Sequence, residues 1–264
     1  MAISGIESAK LKLDRASVHI NAVKKSAGRY LESEPARVPR DADGKYTLNF
    51  RDLPPPEIAI LAGEAIYQMR SALDHLAFDL VQLNSGKIQL PSNWVKNCQF
   101  PLLIDVPTKG NPPVPCGLPL TYGFFEKNLP GISMAAFAFI ESMQPYYDRE
   151  GSTQLLYLAK LSNVDKHRHL HVTKARADVR FDVVSDGFHT CTTTRTENGA
   201  EVKIPSSVSK GHKVKAGFTP FVSFDESGLG MDETGFTVCG LLDFCFDGIE
   251  HFIIPAFSEF LKRP

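Results

Sequence analysis

The stretch Gln68–Val81, QMRSALDHLAFDLV, sets an arginine, an aspartate and a histidine among apolar residues. Arg70, Asp74 and His75 are the residue types that acid–base chemistry on a phosphate would use. An imidazole titrates near neutrality, and a planar guanidinium matches phosphate oxygens two at a time. A second polar cluster follows at Leu161–Val172, LSNVDKHRHLHV. Asn163 and His167 stand four apart, with Asp165 between them and the cations Lys166 and Arg168 beside them. If the backbone turns extended there, His167, His169 and His171 share one face. Three imidazoles, completed by Asp165 or Glu64, are a divalent-metal ligand set. Each cluster also has a plainer reading. Lys166 and Arg168 suit the negative end of a helix. Arg70 and Asp74 can form an i,i+4 ion pair on a solvated face, or a polar network that pins two helices.

Both clusters need elements to hold them. At 100° per residue, Ala62, Ala65, Met69, Leu73, Leu76, Leu80 and Leu83 form one apolar stripe, which predicts a helix from about Glu57 to Asn84. Glu64, Tyr67, Arg70, Ser71, Asp74, His75 and Phe78 lie on its other side, with Arg70 and His75 roughly 140° apart. Pro54-Pro55-Pro56 starts this helix and Ser85-Gly86 ends it. An earlier helix begins at the capping box Ser4–Glu7 and carries Ile6, Leu13, Ala16, Ile20, Val23 and Ala27 to about Leu31. Between the two, Asp43-Gly44 and the alternation of Tyr46, Leu48 and Phe50 predict a short hairpin. Residues 85–131 hold eight of the eighteen prolines and read as a long wrapping connection. Helices resume at about Ile132–Met143 and behind Ser152, where Leu155, Leu158 and Leu161 recur. From His171 the alternation of β-branched and aromatic residues predicts strands near 171–184, 188–197, 200–205, 213–224 and 235–246, with Asn198-Gly199 turning one hairpin. A last helix, capped by Asp247 and bent at Pro255, closes the chain.

The fold class is therefore α+β. Residues 1–168 read as an N-terminal helical bundle with a short hairpin and a long proline-rich loop. Residues 169–264 read as an appended, mainly antiparallel sheet with a C-terminal helix returning to the bundle. Near-zero net charge, from 29 basic and 30 acidic residues, supplies no global field for nucleic acid, so any RNA contact must be local. Five scattered cysteines outside any CxxC pattern argue against a disulfide framework, and no stretch has the roughly 20 apolar residues of a membrane span. A reducing, cytoplasmic setting without membrane contact is the expectation. The nucleotide-binding, serine-hydrolase and zincin motifs are absent from the sequence. His19, His189, His212 and His251 have no partners in sequence and read as packing or surface residues.

Arg70-Ser-Ala-Leu-Asp-His75 resembles the Arg-x4-His motif of HEPN-type helical domains. Several families of that group are ribonucleases that need no metal and join two copies of the motif across a dimer. The resemblance implies that His75 takes a proton from a ribose 2′-OH and Arg70 steadies the phosphate charge. RSALDHL together with NVDKHRHL and Gln144-Pro145-Tyr146 also resembles a bacterial family of this length that shares the proline-rich middle and strand-rich end. That likeness brings no activity with it, but suggests that the two motifs meet in space. The leading expectation is a homodimeric ribonuclease acting on RNA, with Arg70, His75 and Asp74 catalytic and Tyr67, Asn163, Lys166 and Arg168 binding substrate, without a cofactor. The alternatives are a divalent-metal enzyme using His167, His169, His171 and Asp165 on a small molecule, and a binding protein in which both motifs are structural.

Overall fold

The computed structural model describes residues 4–39, 46–86, 90–106, 117–119, 121–147, 151–167, 173–185, 188–197, 199–202, 213–224 and 236–261. In chain order the elements are α1 (Gly5–Glu32), β1 (Ala36–Arg37), β2 (Tyr46–Thr47), β3 (Asn49–Phe50), α2 (Pro56–Ser85), α3 (Ser92–Asn97) and α4 (Thr121–Asn128). There follow α5 (Met134–Glu141), α6 (Ser152–His167), β4 (Thr173–Ser185), β5 (Phe188–Glu197), β6 (Glu201–Val202), β7 (Lys213–Phe224), α7 (Val238–Gly248), a π-helical turn (Ile249–Ile253) and α8 (Ile254–Phe260). The class is α+β, helical at the N-terminus with small antiparallel sheets. None of the described helices is long and apolar enough to cross a membrane.

Contacts divide the chain into two units. The first comprises Met1–Asn21, Ala62–His169 and Gly240–Pro264. The second comprises Ala22–Leu61 and Leu170–Cys239.

In the first unit, α1 starts at the expected capping box. The Ser4 amide donates to Glu7 Oε2 at 3.1 Å, and the Glu7 amide donates to Ser4 Oγ at 3.2 Å. Ala9, Leu13, Ala16 and Ile20 form its buried stripe. In α2 the buried arc is wider than the apolar stripe predicts. Met69, Leu73, Leu76 and Leu80 are buried, and so are Ile66, Arg70, Ala77 and Val81, which lie further round the helix. Leu83, the last residue of the stripe, is 59% exposed. Gly86 closes the helix at φ +60°, a left-handed conformation that glycine adopts without side-chain strain.

The proline-rich connection is not structureless, because α3 and α4 form within it. Trp94 of α3 sits over Gly131, where φ is +74° and a Cβ would come within 2.7 Å of the indole. Ser133 caps α5 by accepting from the Ala136 amide at 3.2 Å. Leu155, Leu158 and Leu161 of α6 are buried as their spacing predicts.

The expected strand at 235–246 is a correction: that region forms α7. Val238, Leu241, Leu242, Cys245 and Ile249 are buried at helical intervals, and this 3.6-residue period outweighs the β-branched and aromatic composition. Asp247 therefore lies near the end of a helix and not at the start of one. The irregularity before Pro255 is a π turn in which the Ile254 amide donates to Ile249 O. Proline cannot donate and its ring crowds the preceding turn, so the chain relaxes into wider hydrogen bonding just ahead of it.

In the second unit β4 is central, with β5 and β7 antiparallel on either side. Ser185 pairs with Phe188, so β4 and β5 are joined by only two residues. β1 pairs with β3, whereas β2 pairs with β6. The arms of the expected hairpin around residues 43–44 are thus paired, with the Thr47 amide also donating to Pro39 O at 3.2 Å, and Tyr46 and Thr47 pair in addition with the strand after Gly199. The cause is apolar: Leu48, Ala36, Ala177, Val179 and Val202 form one small core, flanked by Tyr46 and Phe50. Asp43, Gly44 and Asn198 lie outside the described residues.

Candidate functional site

The site begins with the placing of α1 beside α2 in the first unit. Ser8 Oγ lies 2.6 Å from His75 Nδ1, and further along His19 Nδ1 lies 2.8 Å from Glu64 Oε2. Partners advance along one helix as they retreat along the other, so the two run antiparallel here. At the start of α1 the backbone comes so close that a Cβ on Gly5 would lie 2.2 Å from Asp79 Cβ. Glu64, considered for a metal site, is engaged by the buried His19.

Arg70 and His75 point to different places. Arg70 is 9% exposed, and its Nη2 donates to the carbonyl of Phe100. The same nitrogen lies 3.2 Å from Asp74 Oδ1, and that oxygen accepts the Phe100 amide at 2.9 Å. The pair therefore grips both backbone groups of one residue, as a neighbouring strand would. Burial pulls the pKa of Arg70 down while the Asp74 carboxylate holds it up. Gln144, fully buried, extends the grip: its Nε2 donates to Pro101 O at 3.0 Å and its Oε1 accepts the Leu103 amide at 2.9 Å. Side chains do this because Pro101 has no amide hydrogen with which to continue a β ladder. The Phe100 ring, fully buried, packs 6.2 Å from that of Phe257.

A cavity of about 190 Å³ adjoins this clamp, lined among others by Arg70, Gln99, Asn128, Ser162 and Asn163. Arg70 and Asn163, one residue from each polar motif, are thus brought to one cavity.

His75 opens on another. Its cavity, about 450 Å³, is lined by Gly5, Ser8, Asp74, His75, Phe78, Asp79, Gln82 and Cys98. Helical spacing explains the set, since His75, Phe78, Asp79 and Gln82 share one side of α2. Burial, helped by the charge of Lys12, lowers the pKa of His75, and Asp74 opposes both. The imidazole is therefore neutral at physiological pH and fit to accept a proton. Burial raises the pKa of Asp79, moderated by a hydrogen bond from the Gly5 amide. Cys98 is pushed up to about 12, first by burial and then by Asp74, so it stays an unreactive thiol.

Asp74 belongs to both places, as an anchor of the clamp and a wall of the His75 cavity. Tyr67 is 60% exposed and lines neither cavity. His167, Asp165 and Lys166 lie at the end of α6, and their side chains are outside the described residues, as are Arg168, His169 and His171 altogether. Among the described residues Asp247, Glu250 and His251 bring ligand atoms within 4.8 Å of one another, all on exposed side chains. Sequence reasoning missed Ser8, Asp79 and Gln144. Asp79 was legible as the residue one turn beyond His75, whereas Ser8 depends on the α1–α2 register, which no local pattern encodes. No family model, curated protein or solved structure matches this chain.

Proposed function

We propose that this chain acts on a small polar molecule held in the His75 cavity, with neutral His75 as its general base. The carrying observation is that His75 lines a cavity of about 450 Å³ together with a hydroxyl, two carboxylates and an amide. Volumes of this order suit a small ligand. The wall chemistry disfavours an anionic ligand. Asp74 and Asp79 line it, no arginine or lysine is among the described lining residues, and Lys12 is the nearby counter-charge felt by His75. An anion would meet carboxylates at close range with Arg70 committed elsewhere.

The test is thermal stabilisation by ribose, uridine, choline and uridine 3′-phosphate, compared between the wild type and Phe78→Trp, which narrows the cavity. The reading predicts a shift with the three compounds that carry no negative charge, which Phe78→Trp removes. Equal shifts in both proteins, or a shift with the phosphate alone, would overturn it.

A second reading, ribonuclease chemistry through Arg70 and His75 in a homodimer, draws support from the neutral imidazole, a suitable base for a 2′-OH. It requires Arg70 to leave the Phe100 carbonyl. Its signature is RNA cleavage that survives chelator, leaves 2′,3′-cyclic phosphate ends and is lost in both His75→Ala and Arg70→Lys. The metal-dependent reading through His167, His169, His171 and Asp165 has its own signature, a stoichiometric ion in the purified protein.

A further inference from the structure

We infer that Ser8 is a covalent nucleophile and that the His75 cavity takes an uncharged acyl compound, an ester or activated amide, whose acyl group passes to Ser8 Oγ. The inference rests on the reading of the His75 cavity as the ligand site, and adds to it a reaction and a second catalytic residue. Three observations carry it. Ser8 Oγ lies 2.6 Å from His75 Nδ1, within reach for proton transfer. Both side chains line the same cavity, so a bound molecule can meet the oxygen and the base together. Asp74, beside them in that cavity wall, is itself held by the Phe100 amide at 2.9 Å and by Arg70 at 3.2 Å. A nucleophile, a base and an immobilised carboxylate are thus assembled from α1 and α2.

The reaction uses the tautomer with its proton on Nε2. As Ser8 Oγ bonds to the acyl carbon, the hydroxyl proton moves to His75 Nδ1 and the carbonyl electrons move to oxygen. Collapse of the tetrahedral intermediate breaks the bond to the leaving group, which takes the proton from Nδ1 and departs as an alcohol from an ester or as an amine from an amide. Water then attacks acyl-Ser8, His75 takes its proton, and Ser8 regains it as the carboxylic acid leaves. Burial and then Lys12 disfavour the transient imidazolium and outweigh Asp74, which favours it, and so the imidazole returns to neutral between steps. The clamp on Phe100 keeps Asp74 in place for this, which gives Arg70 a positioning role.

The probe is p-nitrophenyl acetate, with acid quench and peptide mapping of the acetylated chain. The expected result is a nitrophenolate burst approaching one equivalent per chain, with the acetyl group on Ser8. Ser8→Ala should abolish the burst. His75→Ala should slow acylation by about 10²–10⁴-fold. Ser8→Cys, which keeps a nucleophile at the same reach, should restore acylation and answers for any loss of folding in Ser8→Ala. Acetyl found only on lysines or the N-terminus, or an undiminished burst in Ser8→Ala, would overturn the inference. If ribose or uridine still stabilises the protein in a Phe78-dependent way, that failure touches Ser8 alone. If those shifts are missing as well, the cavity reading falls with it.

Discussion

Around Arg70 and around His75 the chain assembles the same chemical types, a titratable cation former beside Asp74, with opposite results. At Arg70 the charged group is turned inward, and its hydrogen bonds end on the main chain of Phe100 and on Asp74. At His75 a short hydrogen bond ends on a side-chain hydroxyl, and the ring borders a cavity. The two lie roughly 140° apart around α2, and the buried arc of the helix ends between them. The difference teaches that a polar residue in a core helix is not a site by virtue of its type. What matters is whether its hydrogen bonds terminate on backbone, where they fix the fold, or beside open space, where they can be exchanged for a ligand.

The largest effect that follows is on stability at the Arg70 end. Arg70→Met should cost about 3–5 kcal/mol, because it leaves Asp74 without its cation and the Phe100 carbonyl without a donor in a buried setting. Urea unfolding measures it, and a loss below about 1 kcal/mol would mean that the clamp contributes little. Gln144→Leu should rank next at about 2 kcal/mol, since it strips partners from Pro101 O, Ile140 O and the Leu103 amide while filling similar volume. An equally large loss in His75→Ala would erase the contrast between the two ends.

Most of the helical frame was legible because it is periodic. α1 and α2 appear within a residue or two of their caps and terminators, and β5 and β7 appear at the residues where alternation starts and stops. What was not legible has two causes, pairing between distant segments and competition between composition and spacing. No local motif signals that Leu48 and Val202 join one small core and bring β6 onto β2. Residues 238–249 carry aromatic residues as well as helical spacing, and the spacing prevails, with Val238, Leu242, Cys245 and Ile249 each buried at helical intervals. For the candidate site, Arg70, Asp74 and His75 stood out as polar residues in an apolar helix. Their division into clamp and cavity was invisible, since it depends on Phe100, thirty residues away from Arg70, and on Ser8, sixty-seven away from His75.

At the His75 end the effects are smaller and depend on pH. His75→Ala should cost about 1 kcal/mol at pH 7.5, one partly buried hydrogen bond. The folded protein holds the pKa of His75 below its ordinary value of 6.5, so the unfolded chain binds the proton more readily. Stability should therefore be fully present above pH 6.5 and fall as pH drops through the window between 6.5 and the lower folded pKa. The slope of melting temperature against pH in that window should flatten in His75→Ala. An unchanged slope would mean that another group titrates there.

Asp79 makes the last and smallest test, because its dependence has the opposite sign. Burial raises its pKa above the ordinary 3.8, so folding favours the protonated form and the charged form is a cost at neutral pH. Stability contributed by this group should fall as pH rises from 3.8 through the raised folded value, the reverse of His75. Asp79→Asn keeps an oxygen to accept the Gly5 amide and removes the charge. Against that gain stands the lost attraction between a carboxylate and the positive end of α1, about 0.3–1 kcal/mol at a helix terminus. Since burial is the larger of the two influences on Asp79, the substitution should leave stability at pH 7 unchanged or raise it by less than about 1 kcal/mol. It should also remove the acid-side slope. A clear destabilisation by Asp79→Asn, measured beside Gly5→Ala, would show instead that the charge itself holds the start of α1 against α2. Ser8 would then owe its place beside His75 to that attraction, and the cavity would be expected to open when Asp79 is protonated.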